Sequence, residues 1–163
     1  MSGEKIWFIG DTHFNHRNVI AYCNRPFATV SEMNKALIDN WNKVVRKGDK
    51  VIMNGDFALS GKDKIIEIGQ QLNGRKTLIL GNHEGASLKT YYGAGFEMIS
   101  KYPILVDGYL ISHIPQETSL YPNIHAHTHN TKENDSFHFC TSVEMIEYKP
   151  INFEEVKRYF GSK

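Results

Sequence analysis

The side chains most able to do chemistry in this sequence directly follow short apolar runs. Five such segments end in Asp, Asn or His, and they read IWFIGDTH (6–13), VIMNGD (51–56), LILGNHE (78–84), YLISH (109–113) and NIHAHTH (123–129). Short apolar runs bounded by turn residues are typical of buried strands. Ligands of sheet-based α/β folds bind beyond the carboxyl ends of the strands. We therefore predict that these polar side chains converge on one site.

Taken singly, most of these motifs have ordinary structural explanations. The Asp-Thr-His triplet at 11–13 fits a plain turn, and the glycine before Asp56 makes a common turn dipeptide. Asn82 is suited to cap a helix, and a lone His113 is more often a core or edge histidine than a ligand. Turn formation does not explain why all of them follow apolar runs and carry only metal-ligating side chains. We interpret them jointly, as ligands of one metal centre.

The His-Thr-His segment is the most specific of these motifs. Residues two apart in extended backbone face the same way, so His127 and His129 can point at one site. A solvated, histidine-rich loop explains this segment equally well by itself. Five of the eight histidines lie between 113 and 138, and this clustering favours ligation. Carboxylate and imidazole donors together suit Mn²⁺, Fe²⁺, Zn²⁺ or Ni²⁺.

Strands and connecting helices must position these side chains. The strands predicted for the first half of the chain lie at 5–9, 50–54 and 76–80. A capping-box pattern at 29–32 predicts the start of an amphipathic helix, and further helices are predicted near 65–72 and 87–92.

The second half of the chain is richer in strands. Its predicted strands lie near 96–99, 103–106, 109–113, 123–127 and 136–144. A second capping-box pattern at 152–155 predicts a terminal helix. A βαβαβα half followed by a β-rich half predicts two packed sheets flanked by helices.

Composition limits the class of protein. A length of 163 residues predicts a single domain over 1–163, and a net charge of +1 provides no bulk field for nucleic acid or an anionic membrane. Cys23 and Cys140 have no CxxC spacing and are predicted to be reduced thiols. The sequence shows no signal-like segment and no apolar stretch near the ~18 residues that cross a bilayer. We predict a cytoplasmic protein.

In this order, the motifs resemble the calcineurin-like metallophosphoesterase family, whose pattern is D-x-H, G-D, G-N-H-[DE], a lone H and G-H-x-H. The resemblance covers residues 6–129, and the segment DTHFNHRNVIAYCNRPF (11–27) is similar to the small single-domain bacterial and phage members. The resemblance implies an α/β fold, the four-layer α/β/β/α sandwich of two mixed β-sheets flanked by helices. It also implies a dinuclear metal centre that hydrolyses phosphoesters.

Carried over motif by motif, the resemblance implies two metal ions bridged by Asp56. One ion would be held by Asp11, His13, Asp56 and His129, and the other by Asp56, Asn82, His113 and His127. His83 would be the second catalytic residue with Asp56. It would lie beside the leaving group and either stabilise charge in the transition state or protonate the departing oxygen.

Simple electrostatics supports this arrangement. The positive charge of two divalent ions exceeds the negative charge of Asp11, Asp56 and a bridging hydroxide, and the neutral Asn82 cancels none of it. The net positive charge of the site attracts a phosphate ester. Two metals roughly 3.5–4 Å apart can clamp an in-line displacement, and they lower the pKa of bound water to about 7. We predict in-line attack on a phosphodiester, with a phosphomonoester as a second option, and Mn²⁺ as the ion. The substrate would be a small diester, a nucleotide or a nucleic-acid end.

The sequence departs from the family pattern at two places. Ala126 replaces the glycine of the last motif, a small-for-small change that we expect to be tolerated. Asp56 is followed by Phe57, Ala58 and Leu59, so the Asp-Arg pair of protein Ser/Thr phosphatases is missing. This argues against protein phosphatase activity and leaves the role of His83 open. Glu84 has no assigned role either, and capping of the next helix is one alternative.

Other polar and aromatic residues carry weaker predictions. His16 and Arg25, in the 14–27 loop, are predicted to contact substrate phosphate, the alternative being a solvated loop with the arginine stem packed on an aromatic ring. His125 and His138 match no motif position and are predicted to be strand or edge residues. The aromatic residues predicted to pack in the core and sheets are Tyr91, Tyr92, Phe96, Tyr102 and Tyr109.

A non-catalytic scaffold on the same fold is the main alternative function, because a fold does not guarantee activity. A scaffold is expected to lack His83 or some of the ligands, whereas this sequence has all of them. A structural zinc protein would need cysteine-rich coordination, which two distant cysteines do not provide.

Overall fold

The computed structural model describes residues 3–117 and 120–162, and within these its strands form two sheets. In chain order the strands are β1 (Ile6–Ile9), β2 (Lys50–Met53), β3 (Arg75–Ile79), β4 (Phe96–Ser100), β5 (Ile104–Val106), β6 (Tyr109–Ile111), β7 (Asn123–His125), β8 (His138–Cys140) and β9 (Ile151–Asn152). The first sheet has the order β4-β3-β2-β1-β9, and the second has the order β5-β6-β7-β8.

Both sheets are mixed. In the first sheet β1 to β4 run parallel and β9 is antiparallel to β1. In the second sheet β6, β7 and β8 run parallel and β5 is antiparallel to β6. Parallel strands present their carboxyl ends at the same edge, which is where ligands of such sheets bind. His125 and His138 lie in β7 and β8, which confirms their prediction as strand residues.

Five α-helices accompany the sheets within the described residues. They are α1 (Arg17–Tyr22), α2 (Val30–Val44), α3 (Lys62–Gln71), α4 (Leu88–Gly93) and α5 (Phe153–Gly161). The predicted fold, two mixed sheets flanked by helices, is therefore confirmed. In the described part of the chain, none of these helices combines the length and the apolar character needed to span a bilayer.

The start of α2 shows how local sequence determines a helix boundary. Thr29 lies before the helix in extended backbone, and its hydroxyl accepts a hydrogen bond from the backbone N–H of Glu32 at 3.1 Å. The Glu32 carboxylate accepts in turn from the backbone N–H of Ala28 at 2.8 Å. Both N–H groups would otherwise lack a partner. The buried face of the helix then carries Met33 and Trp41 into the core.

The structure differs from the prediction where long-range contacts determine the end of a strand. The segment 136–144 was predicted to be one strand, but the strand ends at Cys140 and the chain continues into a short 3-10 helix at Val143–Met145. Its backbone pairs there with the end of β1: the N–H of Gly10 donates to Thr141 at 2.8 Å, and the N–H of Val143 donates to Gly10 at 3.1 Å. This pairing redirects the chain. Two short elements were not predicted from the sequence: helix α1, which lies in the segment predicted to be a loop, and the two-residue strand β9. Both are too short to show a periodic pattern of apolar residues.

The two sheets approach each other closely beyond β1 and β2. Gly10 faces Ala126 at such short range that a Cβ atom at position 10 would overlap the Ala126 side chain. The side-chain amide of Asn54 donates to the backbone carbonyls of Ser112 and Ile124, both at 3.3 Å, and so links the sheets. Ala126, where the family pattern has glycine, is accommodated because its opposite residue is itself a glycine.

The aromatic predictions are confirmed in part. Tyr91 and Phe96 are buried in the core. Tyr109 is half-buried and packs against aromatic rings of α5. Tyr92 and Tyr102, in contrast, are 51% and 76% exposed, so their prediction as packing residues is wrong. Apolar spacing by itself does not show which side of a short element faces solvent.

Candidate metal centre

The first cluster of candidate metal ligands consists of Asp11, His13 and His129. Their candidate ligand atoms all lie within 4.8 Å of one another. Asp11 and His13 follow β1, whereas His129 follows β7 in the other sheet. The rings of His13 and His129 stack with their centroids 5.4 Å apart. The fold thus brings together three of the side chains predicted for one ion.

The second cluster consists of Asp56, His113 and His127, whose candidate ligand atoms also lie within 4.8 Å of one another. Asn82 joins this cluster. Its Oδ1 atom lies 2.9 Å from Nε2 of His113 and 3.0 Å from Nδ1 of His127. The two ring nitrogens are themselves 3.2 Å apart. Three potential ligand atoms that face one another in this way suit a shared cation.

Asp56 lies between the two clusters. Its Oδ2 atom is 3.5 Å from Nε2 of His13, in the first cluster, and 3.5 Å from Nε2 of His113, in the second. Its Oδ1 atom accepts a hydrogen bond from the backbone N–H of His83 at 2.9 Å. Gly55 allows His113 to lie close to the loop that carries Asp56, since a Cβ atom at position 55 would lie 2.5 Å from Nδ1 of His113. One carboxylate oxygen of Asp56 is therefore directed at both clusters.

The backbone at the site is strained. Five of the predicted ligands have left-handed backbone, with φ of 52° at Asp11, 48° at His13, 56° at Asp56, 68° at His127 and 48° at His129. For a residue with a side chain this conformation costs roughly 1–2 kcal/mol. Such strain persists where the surrounding structure imposes it, and it is concentrated at functional sites. The left-handed turns direct these side chains into the site.

Asp11 provides a test of whether the clusters fit a cation. Its Oδ2 atom accepts from the backbone N–H of His127 at 2.8 Å and from the hydroxyl of Ser142. Its Oδ1 atom is buried and has no hydrogen-bond partner within the described residues. Burial raises the pKa of this carboxyl to about 7. A divalent ion would satisfy the unpaired oxygen and stabilise the charged form, so the residues fit a metal.

The buried histidines are in the form that binds metal. Burial lowers the pKa of His13 to about 2, and burial also lowers the pKa of His113. Both rings are therefore neutral near pH 7, as metal ligation requires. Nδ1 of His113 lies 2.7 Å from the backbone carbonyl of Asn54, which can only accept, so this nitrogen carries the hydrogen. The lone pair of Nε2 consequently faces the second cluster.

We expect Mn²⁺ affinity at the first cluster to fall as the pH drops below the pKa of Asp11. The metal-free carboxyl has its pKa raised to about 7, and it must lose its proton when the ion binds. The hydrogen bond to Glu144 and the charge of Asp11 outweigh the effect of burial and raise the pKa of His129, so this ring must lose a proton as well. Affinity should therefore decrease by at least about tenfold per pH unit below the pKa of Asp11 and level off once both groups are deprotonated. Calorimetric titration in two buffers of different ionisation enthalpy should show about one to two protons released per ion at about pH 6. An affinity independent of pH in this range would contradict the expectation.

Glu84 joins the loops that follow β2 and β3. Its carboxylate accepts from the backbone N–H of Phe57 at 2.7 Å and from that of Gly81. Burial raises its pKa to about 7. Helix α4 begins after Ser87, whose own side chain caps it. The alternative that Glu84 caps this helix is therefore wrong, and the residue instead holds the two ligand-bearing loops against each other.

His83 and His16 lie at the rim of the centre. The ring of His83 is exposed, and its centroid is 5.5 Å from that of His13. His16 is half-buried, with Nδ1 3.4 Å from Nδ1 of His13. Both rings border the first cluster from its solvent side. Their predicted roles, next to the leaving group and at the substrate phosphate, are compatible with these positions.

Arg25 does not lie at the rim. Its side chain is 0% exposed and forms an ion pair with Glu144 at 2.7 Å. Its guanidinium also donates to the backbone carbonyls of Asp11 at 2.7 Å and Thr12 at 2.9 Å. A guanidinium enclosed in this way has no face left for a substrate phosphate. The structure contradicts the prediction that Arg25 contacts the substrate, because the residue is part of the interior.

Glu144 is a residue of the site that the motifs do not reveal. Its carboxylate lies 3.1 and 3.2 Å from Nδ1 of His129. The only sequence feature that could have indicated it is an acidic residue within an apolar segment. Together with Cys23 and His129 it forms a third group with ligand-like spacing. Arg25 already neutralises the Glu144 carboxylate, and burial raises the pKa of the Cys23 thiol to about 11, so this third group disfavours a cation.

Two mixed sheets with a carboxylate–imidazole centre at their strand ends place the chain in the class of metal-dependent phosphoester hydrolases. The comparison with known families agrees. The chain belongs to the calcineurin-like phosphoesterase family, whose model matches residues 4–155.

Relatives of the chain occur in archaea and phages. An uncharacterised protein of Methanocaldococcus jannaschii is 42% identical over 166 residues, an alignment that covers 94% of this chain and 90% of the relative. The Gene 66 protein of Mycobacterium phage L5 is 38% identical over 85 residues, which is 50% of this chain and 41% of the phage protein.

Solved structures show the same architecture. A protein of unknown function from Aquifex aeolicus superposes with a TM-score of 0.76 at 26% identity, covering 96% of this chain and 100% of that chain. The nuclease MPE of Pseudomonas putida superposes with a TM-score of 0.55 at 18% identity, covering 76% of this chain and 61% of that chain. At this low identity the second similarity is one of fold.

Proposed function

We propose that this chain is a dinuclear metal-dependent phosphoesterase that hydrolyses a phosphodiester. The observation that carries the proposal is the position of Asp56, whose Oδ2 atom lies 3.5 Å from an imidazole nitrogen of each cluster. A carboxylate in this position can serve two ions at once. When bound, the two ions polarise the phosphoryl oxygens and lower the pKa of coordinated water. Mn²⁺ is the proposed ion, and Fe²⁺, Zn²⁺ and Ni²⁺ suit the same donors.

The side chains of the site form two sets, one that would hold the metal ions and one that would contact the substrate. Asp11, His13 and His129 would hold one ion, Asn82, His113 and His127 the other, and Asp56 both. Because Asn82 is neutral, the loaded centre keeps a positive charge that attracts a phosphate ester. His83, exposed at the rim, would stabilise or protonate the leaving oxygen, and His16 would contact the phosphate.

Two separate grooves next to the centre support a diester over a monoester. A groove of about 260 Å³ is lined by Ser60, Lys62 and His83. Another, of about 320 Å³, is lined by Asn82 and Tyr102 among others. A diester carries two organic groups, one for each groove, whereas a monoester carries one. A small diester, a nucleotide or a nucleic-acid end would fit this description.

The unpaired, buried cysteines are consistent with our proposal of a cytoplasmic location.

The proposal is tested by assaying the purified chain after removal of metal and reconstitution with Mn²⁺. We expect hydrolysis of bis(p-nitrophenyl) phosphate, slower hydrolysis of p-nitrophenyl phosphate, and no activity with excess chelator. Preference for the monoester would overturn the diesterase assignment. If the protein binds its ions but cleaves neither ester with any of the four metals, a non-catalytic scaffold is the better description.

A further inference from the structure

A buried ion pair lies directly behind the first cluster. The Glu144 carboxylate accepts from Nε of Arg25 at 2.8 Å and from a terminal nitrogen at 2.7 Å. The two side chains are 0% and 3% exposed. A buried pair of this kind often stabilises a fold no better than apolar residues of the same size. Its contacts with the first cluster provide a more specific explanation.

The first of these contacts orients a ligand. Both carboxylate oxygens of Glu144 lie within 3.2 Å of Nδ1 of His129. The ion pair with the enclosed guanidinium of Arg25, at 2.7 Å, keeps this carboxylate charged, so it accepts from the ring. Nδ1 of His129 therefore carries the hydrogen, and Nε2 is left for the ion. Metal-binding histidines commonly donate their second N–H to a carboxylate, which fixes the ring.

The second contact fixes the backbone of another ligand. The same guanidinium donates to the carbonyl of Asp11 at 2.7 Å and to that of Thr12 at 2.9 Å. Asp11 has left-handed backbone with a φ of 52°, so its conformation depends on such external contacts. Arg25 therefore connects the strand end that carries Asp11 to the carboxylate that holds His129.

The second cluster is supported differently. Nδ1 of His113 donates to a neutral backbone carbonyl, that of Asn54, at 2.7 Å. A carboxylate partner increases the donor strength of an imidazole more than a neutral carbonyl does. The two clusters are thus unequal in the support of their histidines.

We propose that Glu144, held by Arg25, is a positioning residue that fixes the ring of His129 and thereby sets the affinity of the first cluster for its ion. This inference rests on the proposed function only in requiring that the two clusters bind metal. It assigns Glu144 no contact with substrate. The effect of losing Glu144 should therefore appear in metal binding at one cluster before any assay of hydrolysis.

The test is calorimetric titration of the chelator-treated protein with Mn²⁺, using Glu144→Gln. Glutamine keeps the size of the side chain but removes its negative charge, and it places an NH₂ group where one of the two oxygens that face Nδ1 of His129 now lies. Loss of such a partner lowers metal affinity by about 10–100-fold. We expect this loss for one of the two ions and an unchanged affinity for the other. Glu147→Gln is the matched control, because Glu147 is 81% exposed and pairs only with Lys149 among the ion pairs of the described residues.

A second variant covers the case in which Glu144→Gln does not fold. Glu144→Asp keeps the charge next to Arg25 but shortens the reach to His129, and it should weaken the same ion by a smaller factor. Thermal melts of the metal-free proteins identify folded samples. Wild-type affinities for both ions in the folded variants, or an equal loss at both, would overturn the inference alone. Failure of the wild-type protein to bind Mn²⁺ would overturn the proposed function with it.

Discussion

Replacing Asp56 by asparagine is expected to abolish phosphoester hydrolysis and to release both metal ions. The variant side chain has one acceptor oxygen in place of two. If that oxygen accepts from the backbone N–H of His83, as Oδ1 of Asp56 does at 2.9 Å, an amide NH₂ group faces His13 and His113 where Oδ2 now lies. An NH₂ group cannot bind a cation. Activity should fall by more than the roughly 10²–10⁴-fold that a single proton-transfer group contributes.

Metal analysis of the purified variant separates this expectation from a simple catalytic defect. The metal content of Asp56→Asn should be close to zero after gel filtration, and added Mn²⁺ should not restore turnover. Asp39→Asn is a suitable control, because Asp39 is 59% exposed on α2 and pairs with Lys35. A folded Asp56→Asn protein that retains two ions would show that Asp56 does not bridge them.

His83→Ala is expected to lose activity while keeping both ions. The side chain of His83 is exposed, and the contact of this residue with Asp56 is made by its backbone N–H, which alanine retains. A group that protonates or stabilises a leaving oxygen contributes about 10²–10⁴-fold to the rate. The value of kcat should fall by this factor with Mn²⁺ content unchanged. Loss of metal from this variant would contradict the assignment of His83 to the substrate side.

The choice of leaving group distinguishes the two roles of His83. If His83 protonates the departing oxygen, the loss in His83→Ala should be small for p-nitrophenyl esters and larger for esters with a more basic leaving group. An equal loss for both kinds of ester would instead assign His83 to stabilising charge on the phosphoryl group. His138→Ala, in β8 and bonded to Asp135, is the matched histidine control and should retain full activity.

Much of the site could be predicted because its residues belong to short local motifs. A strand that ends in Asp-Thr-His or Gly-Asn-His-Glu shows in its own residues both the apolar run and the side chains at its end. The helix start at Thr29 is local in the same sense, since its cap lies within three residues. Such features require no knowledge of distant parts of the chain.

The residues that support the site were not predictable in this way. Arg25 and Glu144 are 119 positions apart, and Ser142 reaches Asp11 across 131 positions. Neither pair belongs to a motif, and an arginine in a polar loop is usually at the surface. The prediction of a substrate contact at Arg25 was wrong for this reason. Burial of a charged side chain depends on which partner the fold supplies.

The sequence by itself determined the fold class, the position along the chain of every strand but the two-residue β9, and the types of side chain available to a metal centre. Local apolar runs and the polar residues that end them are sufficient for these conclusions. Only the tertiary structure decided which strands share a sheet, how closely Asp56 approaches the histidines of both clusters, and that Glu144 contacts His129. These features depend on contacts between segments far apart in the chain, and the apolar pattern within one segment does not predict such contacts.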